Sequence, residues 1–171
     1  MNKKNILRGI VLIFIIIIIA SIYLLKNLDK DQPSTSDNQD FVLEATELDM
    51  EQLKSYGVPI MIDFGADQCE PCKEMAPILK EVHEAYQGEV IVKFVDVWKD
   101  PKLAESFPLE VIPTQFFFDK EGNPYVPKDP VSMKMQMYSL NETNEHMFTA
   151  HQGGMTKEEI LAVFKELGVE K

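Results

Sequence analysis

Cysteine is nearly absent from this chain. Its 171 residues hold two, Cys69 and Cys72, and only three histidines, His83, His146 and His151. A structural zinc site takes four ligands, commonly two C-x-x-C halves or one half with paired histidines. The histidines here have no such spacing, so a metal clip finds no support and no metal is expected. A basic surplus is also missing. The net charge is −11; residues 1–30 carry +4, from Lys3, Lys4, Arg8, Lys26 and Lys30 against Asp29, which leaves −15 for the remainder. So acidic a body argues against nucleic acid as a partner and against a surface that clings to anionic lipid. Internal repeats are lacking as well. What remains, at 45% hydrophobic and 26% charged residues, is the composition of one globular domain with extensions.

One long apolar run is present. IVLIFIIIIIASIYLL, residues 10–25, contains no charge and no proline. Extended back to Ile6, with Arg8 at its edge, it approaches the ~20 residues that span a bilayer. Lys3, Lys4 and Arg8 precede it, so the positive-inside rule keeps the first residues cytoplasmic and puts everything after Leu25 outside. SIYLLKNLDK offers no small-x-small cleavage site, and no lipid-accepting cysteine follows the run. The expectation is a single-pass signal anchor over 1–28 and an extracytoplasmic domain; cleavage would leave the domain in the same compartment, where disulfides persist. DKDQPSTSDNQD, up to Asp40, is polar and aperiodic and reads as a flexible linker over 29–40. The folded domain is expected over 41–171.

Within that domain strands and helices alternate. ELDMEQLKSYG reads as a short helix ended by Gly57, and VPIMIDFGA as a buried strand with one acid inside it. Cys72 to Tyr86 is helical, with Met75, Ile78, Leu79 and Val82 on one face. VIVKFVDV is a second β-branched run, again with an embedded charge, Lys93. A short helix is expected around Asp100–Ser106, then strands TQFFFD and HMFTAH, then a capped helix within TKEEILAVFKELG. This order implies an α/β fold. Residues 125–144 do not fit a compact unit and read as an insertion or lid outside the core.

Cys69 and Cys72 stand in ADQCEPCKEMAP. As a purely structural disulfide, C-x-x-C closes a very small loop and constrains the unfolded chain little. A redox role has positive support: the pair follows an apolar strand and opens a helix, where the helix dipole and free backbone N–H groups favour a thiolate. Pro71 lies in the first helical turn, where its missing N–H costs nothing. IDFGADQCEPCKEMAPILKEV resembles the active-site region of the thioredoxin family, and VIVKFVDVWKDPKLAESFPLEVIPTQFFFDKEGN is similar to that family's following stretch. The likeness runs over 41–171 apart from the 125–144 insertion.

The resemblance implies a thioredoxin fold, with a central mixed sheet flanked by helices and the insertion before the last strand. It implies a thiol–disulfide oxidoreductase with no cofactor beyond its own cysteine pair. Cys69 would be the attacking thiolate and Cys72 the resolving thiol. Asp63 would be the buried carboxylate that takes the proton of Cys72, with Lys93 as its partner. Pro113 resembles the family's cis-proline; Ile112, Thr114 and Gly153 would meet a bound peptide, and Pro77 would mark the helix kink. Departures are plain: Gly65 and Gln68 replace the usual tryptophans, and Glu70 replaces glycine before Pro71. The C-E-P-C centre is similar to that of membrane-anchored bacterial thioredoxins of cytochrome c maturation.

Glu70 beside Cys69 disfavours a thiolate there and leans the couple toward a reductant. The expected function is reduction of disulfides in exported proteins, recharged by a membrane thiol electron donor close to the anchor. The alternatives are a disulfide oxidase or isomerase, and a binding module in which the pair only regulates docking. MKMQM puts Met133, Met135 and Met137 on one face of a strand, chiefly as packing, with a pliable partner surface or soft Cu(I) as lesser readings. His146 and His151 read as polar core or surface residues, and Trp98 as packing.

Overall fold

The computed structural model describes residues 39–170. The expected anchor over 1–28 and most of the linker lie outside the described residues, among which no helix is long and apolar enough to cross a membrane. The first described turn, a 3-10 helix at Gln39–Phe41, already belongs to the folded unit, since Phe41 is buried. The described fold therefore begins at Gln39, inside the span expected as linker.

Helix α1, Met50–Ser55, begins where the Asp49 carboxylate accepts the Gln52 N–H at 3.0 Å, and the chain leaves it through Gly57 at φ +66°. Strand β1, Ile60–Gly65, is buried throughout. Helix α2, Glu70–Ala85, is capped by Cys69, holds Pro71 in its first turn and carries Pro77 inside it. Strand β2 follows at Ile91–Asp96, a 3-10 turn at Pro101–Ala104, and β3 at Thr114–Phe118. After β4, Met135–Ser139, and β5, His146–Gln152, comes α3, Lys157–Glu166. A reciprocal capping box starts α3: Thr156 accepts the Glu159 N–H and Glu159 accepts the Thr156 N–H.

The five strands form one mixed sheet in the order β2-β1-β3-β5-β4. β1 and β2 are parallel; the pairs β1–β3, β3–β5 and β4–β5 are antiparallel. Side chains alternate across the sheet, so successive residues enter two separate cores. Met61, Val92 and Phe117 face α2 and α3, meeting Met75, Leu79, Val82, Ile160 and Phe164. Ile62, Phe64, Val95 and Phe116 face the other way, toward Leu53 of α1 and Phe107. The chain crosses from one side of the sheet to the other, and this alternation covers both of its faces.

Residues 125–144 are not a lid outside the core. They supply β4, which pairs with β5 from Met135↔His151 to Ser139↔His146. Tyr125 and Met135 are buried with the α2–α3 core, and the Tyr125 hydroxyl donates to Glu166 at 2.7 Å. Pro124 just before the stretch, and Pro127 and Pro130 within it, hid a strand that begins only after them. Nor do the three methionines form one stripe, although Met135 and Met137, opposite His151 and Thr149, share a face of β4. Met133 precedes β4, Met135 is buried and Met137 is 45% exposed. Lys134, at φ +53°, breaks the extended path between the first two.

Because Met135 is a core residue, Met135→Ala is expected to lower stability by about 2–5 kcal/mol in denaturant-induced unfolding. A loss near zero would return the segment to the status of a surface lid.

Candidate active site

The sheet brings the expected residues to the carboxyl ends of β1 and β2, where α2 begins. Cys69 and Cys72 are joined as a disulfide with Cα atoms 5.2 Å apart. Cys69 is half-buried at the helix N-cap, while Cys72 is 5% exposed, so only the first sulfur is open to a partner. The Ile112–Pro113 peptide is cis, and the Ile112 carbonyl oxygen lies 3.9 Å from Cys69 Sγ. Gly153, at φ +97°, donates its N–H to the Pro113 carbonyl at 2.8 Å. Its glycine is required by the backbone, since a Cβ there would meet nothing. Gly65 has the opposite reason. A Cβ there would come within 2.8 Å of the Phe94 ring and 3.3 Å of Cys72 Sγ, so the missing side chain lets β2 and α2 close on β1.

Asp63 is 2% exposed on β1 and lines, with Cys72, Lys73 and Phe94, a cavity of about 260 Å³ beneath the disulfide. Burial pushes its carboxyl up from 3.8 to about 7, against the Gln115 side chain, which donates to Oδ1 at 2.8 Å. A carboxyl near 7 is suited to exchanging a proton at neutral pH.

Lys93 is not its partner. In the parallel register Ile62 faces Lys93 and Asp63 faces Phe94, so the two charges lie on opposite faces of the sheet. Lys93 instead donates to the carbonyls of Gln39 and Val42, both at 2.8 Å. Burial lowers its pKa, opposed by Asp40 and Glu47. Thr114 is also displaced from its expected role, being 1% exposed with its hydroxyl donating to the Val111 carbonyl at 2.8 Å. It braces the loop that holds Ile112 and presents no side chain to a peptide. Glu70 is exposed and pairs with Lys73 at 3.3 Å, which offsets part of its charge next to Cys69. Pro71 lies exposed between the cysteines.

The sequence reading missed two residues, Asp96 and Gln115. Asp96, at the end of β2, accepts the N–H groups of Asp67, Trp98 and Lys99 at 3.0–3.1 Å and thereby fixes the loop before Cys69. Burial would raise its pKa, yet those three donors and the Lys99 ammonium hold it below the ordinary value. Trp98, expected as packing, is 61% exposed in the turn that follows β2. Gln115 and His151 continue the polar row of Asp63 across β3 and β5. The signal for Gln115 was a polar residue inside the apolar strand TQFFF, the same signal that singled out Asp63.

With this geometry the comparisons agree. The thioredoxin family model matches residues 41–142. A thioredoxin of Alicyclobacillus acidocaldarius subsp. acidocaldarius is 32% identical over 96 residues, covering 53% of this chain and 90% of its own. Thioredoxin Y1, chloroplastic, of Arabidopsis thaliana is 38% identical over 66 residues, 39% of this chain and 38% of its own. The Arabidopsis thaliana thioredoxin-like protein HCF164, chloroplastic, is 36% identical over 83 residues, 47% of this chain and 32% of its own. The matches thus span about a third of the length of the two chloroplast relatives and most of the bacterial one. The chain belongs to the thioredoxin family. Members of that family are thiol–disulfide oxidoreductases, and this chain carries the cysteine pair that such chemistry uses.

A carboxyl raised from 3.8 to about 7 on folding keeps in the native state a proton that the unfolded chain releases. Its stabilising contribution is full below pH ~4 and is lost as pH rises through ~7, a change on the order of 4 kcal/mol. Asp63→Asn, neutral throughout, is expected to abolish most of that decline in unfolding of the oxidised protein between pH 4 and 8. An unchanged decline would assign the titration to another group.

Proposed function

We propose that this protein is a membrane-anchored, extracytoplasmic thiol–disulfide oxidoreductase that reduces disulfides in exported proteins. The observation that carries the redox reading is the placement of the Cys69–Cys72 disulfide at the start of α2, with Asp63 lining the cavity beneath it. The apolar run at 10–25, flanked by basic residues on its amino-terminal side, supports the anchor and the outward orientation.

In the reduced protein the Cys69 thiolate, favoured by the N-terminus of α2, attacks one sulfur of a substrate disulfide. The substrate S–S bond breaks, one substrate sulfur leaves as thiolate and a mixed disulfide forms. Asp63, as carboxylate, takes the proton of Cys72, directly or through a water in the cavity. The Cys72 thiolate then attacks Cys69 Sγ and expels the second substrate sulfur. Two electrons pass to the substrate and Cys69–Cys72 returns to the disulfide. A membrane thiol protein of the class that relays electrons from the cytoplasm would restore the dithiol, and the anchor would raise the effective concentration of the pair. Ile112 and Gly153 flank the exposed sulfur and would hold the substrate backbone.

The direction of electron flow rests on Asp63 more than on Glu70. Glu70 is in solvent and paired with Lys73, so its field at Cys69 is screened. A negative carboxylate sealed beside the cysteines instead disfavours a second negative charge there. That destabilises the reduced thiolate form relative to the disulfide, the opposite of the strong oxidants of this fold.

The deciding measurement is the reduction potential of the couple, equilibrated against glutathione or dithiothreitol. A value below about −230 mV, on the thioredoxin side of the scale, is expected. A value above about −180 mV would make the protein a disulfide-forming or isomerising enzyme. A Cys72→Ser variant should accumulate mixed disulfides through Cys69, and a Cys69→Ser variant none; a pair that only regulates docking would keep its partner in both.

A further inference from the structure

Asp63, Gln115 and His151 occupy adjacent register positions on three neighbouring strands: Asp63↔Gln115 and Gln115↔His151. All three side chains are buried. The Gln115 amide is saturated: its Nε2 donates to Asp63 Oδ1 at 2.8 Å and to Met75 Sδ at 3.3 Å, and its Oε1 lies 3.3 Å from His151 Nδ1. A carboxylate only accepts, so the amide turns its nitrogen to Asp63 and its oxygen to His151. His151 must then donate from Nδ1–H, and Nε2 keeps a bare lone pair. That Nε2 is buried and has no hydrogen-bond partner.

We propose that His151 is a positioning residue which, by donating to Gln115, locks the amide toward Asp63 and so sets how tightly that carboxyl holds a proton. The inference rests on Asp63 being the proton acceptor for Cys72. A protonated Asp63 keeps one acceptor oxygen but takes the Gln115 N–H more weakly than a carboxylate does, and an amide free to turn would offer its oxygen to the new O–H instead. That turn would set the NH₂ against His151, which would have to accept at Nδ1 and move its proton to Nε2. The relay therefore favours the ionised Asp63 and opposes the effect of burial, keeping the base ready for Cys72. The other charges around Asp63 are Glu44, Asp67, Lys73 and Lys80, all on the cavity wall. Those facing His151 are Glu159 from α3 and Lys134 before β4. The Gly153 backbone acts to raise the His151 pKa. Burial, ahead of the opposed influences of Glu159 and Lys134, lowers the His151 pKa and keeps the ring neutral.

The test uses the full chain in a nonionic detergent, oxidised, with ¹³Cγ-labelled aspartate and ¹⁵N-labelled histidine. The ¹⁵N spectrum of the unaltered protein should show neutral His151 with its proton on Nδ1; a proton on Nε2 overturns the proposal without any variant. Gln115→Leu should raise the Asp63 titration midpoint by about one pH unit, a tenfold change in proton affinity. His151→Phe should raise it by about half a unit, and the double variant should match Gln115→Leu alone. An Asp63 midpoint unmoved by His151→Phe, or additive shifts in the double variant, would reduce His151 to a packing residue. The proton-acceptor reading is judged separately, by the pH profile of Cys72 attack on a Cys69 mixed disulfide. If Asp63→Asn leaves that profile unchanged, the acceptor reading falls, while the titration midpoints still decide the relay.

Discussion

A carboxyl group sealed under a disulfide has to be answered by its surroundings, because an unpaired buried charge costs several kcal/mol. Asp63 meets that demand by remaining near its titration point and by drawing a polar row across an otherwise apolar sheet face. Gln115 answers Asp63, and His151 answers Gln115. On either side of the row the same face returns to Met61, Val92 and Phe117. Gly65 belongs to the same constraint: only without a Cβ can Phe94 and Cys72 close over the carboxyl. Burial and the near-neutral pKa are thus two consequences of one packing arrangement.

Much of this was legible in the sequence because charge inside an apolar strand is a strong signal. IMIDFG announced a buried acid, and CEPC after it placed the cysteine pair next to that acid. The helix ends could also be read, since Asp49, Gly57 and the Thr156–Glu159 box act through local geometry. Lys93 gave an equally strong signal and the resemblance gave it the wrong partner. Whether a strand residue faces one core or the other depends on register, and a slip of one position inverts it. IVKFVD does not state how it aligns with IMIDFG; only the pairing of Ile62 with Lys93 does. The lysine secures the carbonyls of Gln39 and Val42, and so the entrance of the domain, instead of serving the cysteines.

The stretch over 125–144 was hidden for a different reason. Prolines at 124, 127 and 130 argue against regular structure, and MQMYS is too polar on one side to read as core. An edge strand needs only one buried position in each short run, and here Met135 supplies it. His151 was obscured in the same way: its imidazole enters the core only because β4 covers β5, and nothing local to HMFTAHQGG says so.

That edge strand also bears on the exposed side of the site. Gln136 Nε2 donates to Gln152 Oε1 at 3.0 Å, and Gln152 Nε2 donates to the Tyr138 hydroxyl and to Glu110 Oε2, both at 3.2 Å. Gln152 immediately precedes Gly153, and Glu110 lies just ahead of the Val111–Pro113 turn. The strand therefore clamps, from outside, the two backbone segments that flank Cys69. Clamping stiffens a groove where a lid would cover it, and a stiff groove loses less conformational entropy when a peptide settles into it. One added strand thus acts at both depths of the site: it roofs His151 within the sheet and steadies Gly153 at the surface. The buried polar row and the loop at Gly153 are two sides of β5, held by the same neighbour.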